Sequence, residues 1–441
     1  MKVTRMVTVL TVAMFVSIGT MAADPAISGV MVQQRWPWSR LVDIDYVLTC
    51  DPGQLMDIGV EAYDGSSFLT LPPGSLSGDL FGVQRGLRRI VWDPTMTVYT
   101  NSGALLEFRV ALTSAPTPLY MIVDLTKSVE DAEQIEYVYE SELTNGLWGA
   151  WVRNPVTNDG AVIQSVVWTG VTTDDIYKTD KLVLRRISKG TFNYSTGSLS
   201  TTLTRDFYAG VFHVTQRQWY NVMGVGRTAN FTNVVSQAFR PMENISYDDI
   251  RGATNSNPVV DWPRTGVSVK PSSFMGLLRA KTGLSGFDLP TEAQWEYACR
   301  AETTTYFNDG DADANITLNP NPWLHALGRD KYNGGYLADG VTLPDRNCGP
   351  TNGTAIVGSY LPNAWGLYDM HGNVWSFCLD WSADKLTGGE DPKGAEEGEK
   401  RALRGGSWIG SAPNCVSTYR GTAAPSRNAY TYGFRVVKAL P

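Results

Sequence analysis

Between Ile27 and Leu125 the chain alternates hydrophobic and polar residues in short runs separated by turn residues. Val42, Ile44, Tyr46 and Leu48 alternate with Asp43, Asp45, Val47 and Thr49, the period of two expected of a half-buried strand. Phe108, Val110 and Leu112 repeat the pattern against Glu107, Arg109 and Ala111. Asp51-Pro52-Gly53, Tyr63-Asp64-Gly65 and Pro72-Pro73-Gly74 supply the turns. Strands at this spacing predict an all-β sandwich of immunoglobulin or fibronectin type III style over residues 23–126. The segment has no histidine and a single cysteine, Cys50, so it reads as a spacer or docking module.

The pattern weakens over residues 127–178, where an acidic stretch runs from Glu130 to Glu142, and a solvated linker is expected. Leu182-Val183-Leu184 then opens a strand, and Gly, Trp and Asn become frequent. Thr215 with Gln218 forms a capping box for a helix through Trp219 and Val222 that stops at Gly224. Ser246 with Asp249 gives a second start. Thr291 with Gln294 gives a third, carrying Trp295, Ala298 and Cys299 on one face. Little helical signal follows Arg300.

The N-terminus changes where the molecule is expected to work. Lys2 and Arg5 precede an apolar run from Met6 to Ile18, and small residues follow at Thr20, Ala22 and Ala23. This reads as a signal peptide over residues 1–22, which makes the mature protein periplasmic or extracellular. No later run reaches about 18 uninterrupted apolar residues, so no membrane span is expected. Export permits disulfides among Cys50, Cys299, Cys348, Cys378 and Cys415, with one thiol left over. The net charge of −7 with no basic block argues against nucleic acid as a partner. The three histidines, His213, His325 and His371, are far apart in sequence and form no metal-binding spacing. No nucleophile elbow, Walker loop or dinucleotide fingerprint is present.

Six segments occur in a fixed order: FHVTQRQW at 212–219, PMENISYDD at 241–249, LPTEAQWEY at 289–297, NAWGLYDMHGNVW at 363–375, RGGSW at 404–408 and GFR at 433–435. Over roughly residues 180–440 the chain resembles the formylglycine-generating enzyme, or sulfatase-modifying factor, family. The resemblance implies an α+β, C-type-lectin-like domain over residues 179–441, with calcium as a structural ion. It also implies a pocket for oxidising a sulfatase cysteine with oxygen and copper. Two cysteines spaced C-x4-C after the RGGS motif hold that copper, because thiolates select Cu(I). Here the second position is Cys415 but the first is Gly410, which supplies no ligand. Ser407 and Trp375 match the family's pocket serine and tryptophan, and both residues also have structural readings.

Further expectations come with the resemblance. One calcium site maps onto Asp369, the carbonyls of Gly372 and Val374, and Ser376 in place of a glutamate. A second maps onto Asn333 and the loop before Gly353, where Gly349 replaces an aspartate, with Asp345 and Asn347 nearby. Cys378 and Cys415 occur together in relatives outside the oxidase group, which implies a Cys378–Cys415 disulfide. Cys299–Cys348 is a second candidate bridge, and Cys50 reads as a buried apolar residue. The stretch between the RGGSW and GFR motifs resembles the ligand-presenting stretch of display members, with Asn414, Ser417, Thr418, Tyr419, Asn428, Tyr430 and Tyr432 as candidate surface residues. Three functions remain open. One is a binding or scaffold member that takes a protein or small ligand on the C-terminal surface. The second is a copper oxidase acting on a sulfatase, and the third is another enzyme on the same pocket.

Overall fold

The structure is a computed structural model that describes residues 25–440, apart from 53, 65–66, 70, 73, 97–107, 159, 196–198, 227–236 and 334–352. The signal-peptide reading therefore lies outside the described residues. The chain divides into two units, residues 1–117 (with 440–441) and 118–439.

The first unit carries two antiparallel sheets. One orders the strands Ala26–Gln34, Val42–Thr49, Gly86–Trp92 and Leu76–Gly78; the other orders Ser67–Leu69, Met56–Asp64 and Phe108–Pro116. The period-two pattern translates directly into burial: Val42, Ile44, Tyr46 and Leu48 are buried, together with Ile58, Ile90, Trp92, Val110 and Leu112. On the polar side of the Val42–Thr49 strand, Asp45 meets Arg89 at 2.6 Å. Burying each of the large aliphatic side chains contributes about 1.5–3 kcal/mol, so this alternation is what closes the sandwich. Cys50 is one of its buried apolar residues.

The second unit begins earlier than the sequence pattern suggests. The expected linker over residues 127–178 is folded, and the sandwich ends at Thr117 rather than at residue 126. Tyr120–Asp124 pairs with Lys181–Ile187 in a six-stranded sheet and carries Ile135–Val138 at the edge. The connection is sealed by an aromatic cluster in which Trp168 meets Tyr120, Trp148 and Tyr177 with ring centroids 4.9–5.6 Å apart. The acidic stretch is solvated, as expected, but Glu142 also accepts from the Tyr139 amide to cap the Glu140–Thr144 helix.

All three expected capping boxes form, at Thr215, Ser246 and Thr291. Beyond the expected three, the described residues also form the helices Ile176–Thr179, Phe274–Thr282 and Pro322–Leu327, the last of them beyond Arg300. A four-stranded sheet orders Arg420–Ala423, Arg401–Arg404, Trp375–Trp381 and Tyr432–Gly433, and it brings the RGGSW, GNVW and GFR segments together. Among the described residues no helix is long and apolar enough to cross a membrane.

Candidate functional site

The candidate site is built on the turn that follows the Arg401–Arg404 strand. Gly405 and Gly406 both take positive φ, 94° and 78°, which L-residues rarely adopt. A side chain on Gly406 would also collide with the Cys415 sulfur. The turn is tied to the GNVW segment by Gly372 N–H to Gly405 O at 2.7 Å and Trp408 N–H to Asn373 O at 2.8 Å. Ser407 is buried, and its carbonyl accepts from Gly410 N–H at 2.8 Å. The residues of the expected copper loop are therefore assembled in space.

What is missing is the ligand. A Cβ built on Gly410 would lie 3.1 Å from Cys415 Sγ, so position 410 faces the surviving sulfur but brings no donor to it. Burial, reinforced by the Asp330 carboxylate, pushes the Cys415 thiol well above its ordinary range. A protonated, fully buried thiol is a poor soft-metal ligand and a poor nucleophile. These residues do not fit Cu(I). Among the described residues, no three His, Cys, Asp or Glu groups converge on a metal-sized site.

Behind Cys415 sits His371. Its Nδ1–H donates to the Cys415 carbonyl at 2.7 Å, and its Nε2 accepts from the Asn308 amide at 3.2 Å, which fixes the neutral tautomer. Burial lowers its pKa to about 4. Cys299 Sγ lies 3.9 Å from His371 Nε2 and 3.7 Å from Ser417 Oγ, and burial raises its thiol to about 12. This constellation is fully enclosed, and we read it as the packing that holds the loop.

The expected Cys378–Cys415 disulfide is not formed, and both cysteines are free. The reason is placement. Cys378 lies on the Trp375–Trp381 strand among Trp295, Ala298 and Ala402, whereas Cys415 packs with Phe307, Leu324 and Leu327 in a separate cluster. Cys299 is also free, and its candidate partner Cys348 lies outside the described residues.

The candidate ligand surface divides. Tyr419 and Tyr430 are exposed at 37% and 43%, Asn428 is exposed, and Asn414 and Thr418 are half-buried. Tyr432 and Ser417 are corrections to the expected surface, because both are buried. Tyr432 pairs with the Trp375–Trp381 strand and packs its ring 5.6 Å from Phe377. Trp375 is half-buried and packs its ring, tilted by 37°, against Tyr419 at 5.9 Å and over Gly421. Trp408 packs against Tyr430 at 5.7 Å and donates to its carbonyl. The two aromatic pairs thus link the RGGSW and GNVW segments to the exposed stretch.

The calcium expectations meet competing partners. Ser376 Oγ is 2.8 Å from His213 Nε2, deep in the protein, and burial holds that imidazole neutral by pushing its pKa well down. One oxygen of Asp369 accepts from Gly358 N–H at 2.8 Å. Asn333 Oδ1 accepts from Asp330 N–H at 2.7 Å and from the Arg329 guanidinium at 3.3 Å, and its amide donates to Gly328 O. A hard cation needs several free oxygens. At one position an imidazole engages the hydroxyl, and at the other a guanidinium engages the amide oxygen, so in each set the protein competes with calcium for one ligand. Asp345, Asn347 and Gly349 lie outside the described residues.

Sequence reading missed the charge network beneath the turn. Arg404 is fully buried between Glu296 and Glu292; Arg300 reaches Glu296 at 2.9 Å, and Arg420 reaches Glu292 at 2.9 Å. Both carboxylates sit in the LPTEAQWEY segment and Arg404 opens RGGSW, so the signal was acidic and basic residues inside two motifs of one domain.

Comparison with known proteins accords with this geometry. A family model described as the sulfatase-modifying factor enzyme 1-like domain matches residues 176–440. The chain is 28% identical over 278 residues to the chaperone protein LppX of Paenibacillus barcinonensis, covering 59% of this chain and 90% of that protein. It is 34% identical over 166 residues to the formylglycine-generating enzyme of Thermomonospora curvata, and 33% identical over 159 residues to that of Mus musculus. Each of these matches covers 34% of this chain, and they span only 49% and 39% of the two enzymes. Among solved structures, Treponema denticola variable protein 1 matches with a TM-score of 0.42 and 25% identity, covering 59% of this chain and 96% of that one. With the family come the α+β class and the C-type-lectin-like fold expected from the motifs. The chain belongs to the sulfatase-modifying factor enzyme 1-like family, with its family domain preceded by a β-sandwich.

Proposed function

We propose that this is an exported binding or scaffold member of the family, one that has given up copper oxidation and uses the surface around Trp375, Tyr419 and Tyr430 to hold a protein ligand. The observation that carries the reading is Gly410 facing a buried, protonated Cys415. Copper oxidation of a substrate thiol needs two thiolates at this place, and one side chain is absent while the other is held in its neutral form. The similarity to LppX, described as a chaperone and matched over 90% of its length, is in keeping with a domain that binds other polypeptides. Exposed tyrosines beside a half-buried tryptophan supply rigid, amphipathic contact area of the kind protein interfaces use.

The test is chemical. The mature protein is incubated with Cu(I), oxygen and a sulfatase-derived cysteine peptide, and the peptide is weighed by mass spectrometry. The reading expects the peptide to remain a thiol or its disulfide. Conversion to formylglycine would establish the oxidase reading in its place, with Cys415 as sole thiol ligand.

A further inference from the structure

The second unit contains a cleft of about 280 Å³ that shares no residue with the Cys415 site. It opens between the loop after the Tyr247–Ile250 helix and the turn at Pro425-Ser426, and it is lined by Tyr247, Asp248, Thr254, Asn255, Arg401 and Ser426 among others.

The cleft is braced from behind. Arg401 is fully buried, with its guanidinium 3.3 Å from the Trp381 ring and 4.4 Å from the Tyr247 ring. Its Nη1 donates to the carbonyls of Leu379 and Trp262, and its Nη2 lies 3.6 Å from Asp261. Asp261 in turn accepts from the Trp381 indole at 3.0 Å. The loop is pinned at its start by Gly252, which takes φ +110° and leaves no room for a Cβ against Lys270. On the opposite side, Asp248 N–H donates to Pro425 O at 3.1 Å. These contacts give the walls a fixed spacing.

The charges on the walls are not balanced. The Arg401 guanidinium lies 3.6 Å from the Asp261 carboxylate and donates from Nη1 to two carbonyls, while its Nε and Nη2 make no hydrogen bond among the described residues. Asp249 is committed to the helix cap, where its carboxylate accepts from Ser246. The Asp248 carboxylate, half-buried in the cleft, accepts no hydrogen bond and makes no ion pair among the described residues. Such a group is costly to desolvate unless a donor reaches it. Burial and the neighbouring Asp249 push its carboxyl above the ordinary range, and Arg401 pulls it partly back. Thr254, Asn255 and Ser426 add hydroxyl and amide groups at the rim. With one uncommitted carboxylate, the cleft lacks the oxygen set of a divalent cation, and its volume is too small for a folded chain.

We propose that this cleft binds a small hydroxylated primary ammonium compound, an amino sugar, with the ammonium on Asp248 and ring hydroxyls on Thr254, Asn255 and Ser426. The proposal is independent of how the Cys415 site is read.

Titration of the mature chain with glucosamine, followed by nuclear magnetic resonance or calorimetry, tests it, with glucose as the neutral counterpart of the same size. Saturable glucosamine binding is expected, with glucose about tenfold weaker or worse, the worth of a charge-assisted hydrogen bond. Asp248→Asn should cost glucosamine a similar factor, and Ser426→Ala, on the other wall, should weaken it several-fold. Thermal melts of both variants establish that they are folded. Failure of glucosamine to saturate at tens of millimolar overturns the proposal, as does equal binding of glucose or an Asp248→Asn variant that binds undiminished. None of these outcomes bears on copper, and Gly410→Cys should leave glucosamine binding unchanged.

Discussion

A Cβ placed on Gly410 would stand 3.1 Å from the sulfur of Cys415. That is close to the roughly 3 Å separating a Cβ from the opposite sulfur across a disulfide. Gly410 takes a backbone conformation open to L-residues, and its Cβ would also meet the Ser407 carbonyl at 3.0 Å, a contact that a shift of a few tenths of an ångström relieves. Gly410→Cys is therefore expected to fold and, under oxidising conditions, to bond to Cys415. Alkylation and mass spectrometry should count two fewer free thiols than in the reduced variant. An unbonded variant with both thiols reactive would contradict the placement.

Glu296 holds Arg404 and Arg300 in a fully enclosed network. Removing its carboxylate leaves two buried guanidiniums short of a counter-charge, a loss of about 3–5 kcal/mol by analogy with other broken buried pairs. Urea denaturation of Glu296→Ala measures it. A loss within experimental error of zero would mean that water or other groups replace the carboxylate.

Acid should weaken the fold through its buried imidazoles. His371 falls from an unfolded value of about 6.5 to about 4, so between these values the unfolded chain takes up a proton that the folded chain refuses. The stabilisation is complete above pH 6.5 and is lost as the pH falls towards 4. From pH 7 to pH 5 this one group is worth about 2 kcal/mol. His213 is displaced in the same direction. His371→Gln should show a shallower loss of stability over that interval than the parent protein, in urea titrations at both pH values.

Calcium should not matter to stability. With Ser376 paired to His213 and Asn333 paired to Arg329, each expected cage has one ligand already engaged by the protein. A bound ion at 100 times its dissociation constant would add about 2.7 kcal/mol, or several degrees in melting temperature. Melting curves in excess chelator and in millimolar calcium are expected to coincide to within about a degree. A calcium-dependent rise of several degrees would show that one cage re-forms around the ion.

The elements most legible in the sequence were those specified by neighbours in the chain. The capping boxes at Thr215, Ser246 and Thr291 and the alternation along Val42–Thr49 need only local residues to be read, and they fold as read. The Phe274–Thr282 helix was open to the same reading, since Ser273 caps it and Gly283 ends it, but Ser273 has no Glu or Gln three residues on to complete a capping box. The segment taken as a linker was opaque for a different reason. The strand Tyr120–Asp124 just before it pairs with Ile135–Val138 inside the segment and with Lys181–Ile187 beyond it, and spacing alone does not announce the second pairing.

The site was legible as a set of motifs, but its contacts were not. Gly410 and Cys415 could be named from the string, whereas the separation of Cys378 from Cys415 and the enclosure of Tyr432 depend on which core cluster and which strand pairing each residue joins. His213 and Ser376 are 163 positions apart, and each looked ordinary by itself.

The measurement that tests the account most directly is a Cu(I) competition titration of the fully reduced mature protein against a colorimetric chelator, beside reduced Gly410→Cys. The account predicts no tight stoichiometric site in the parent protein and a new one-to-one site in the variant. Tight one-to-one binding by the parent protein that is abolished in Cys415→Ser would contradict it and return the oxidase reading to first place.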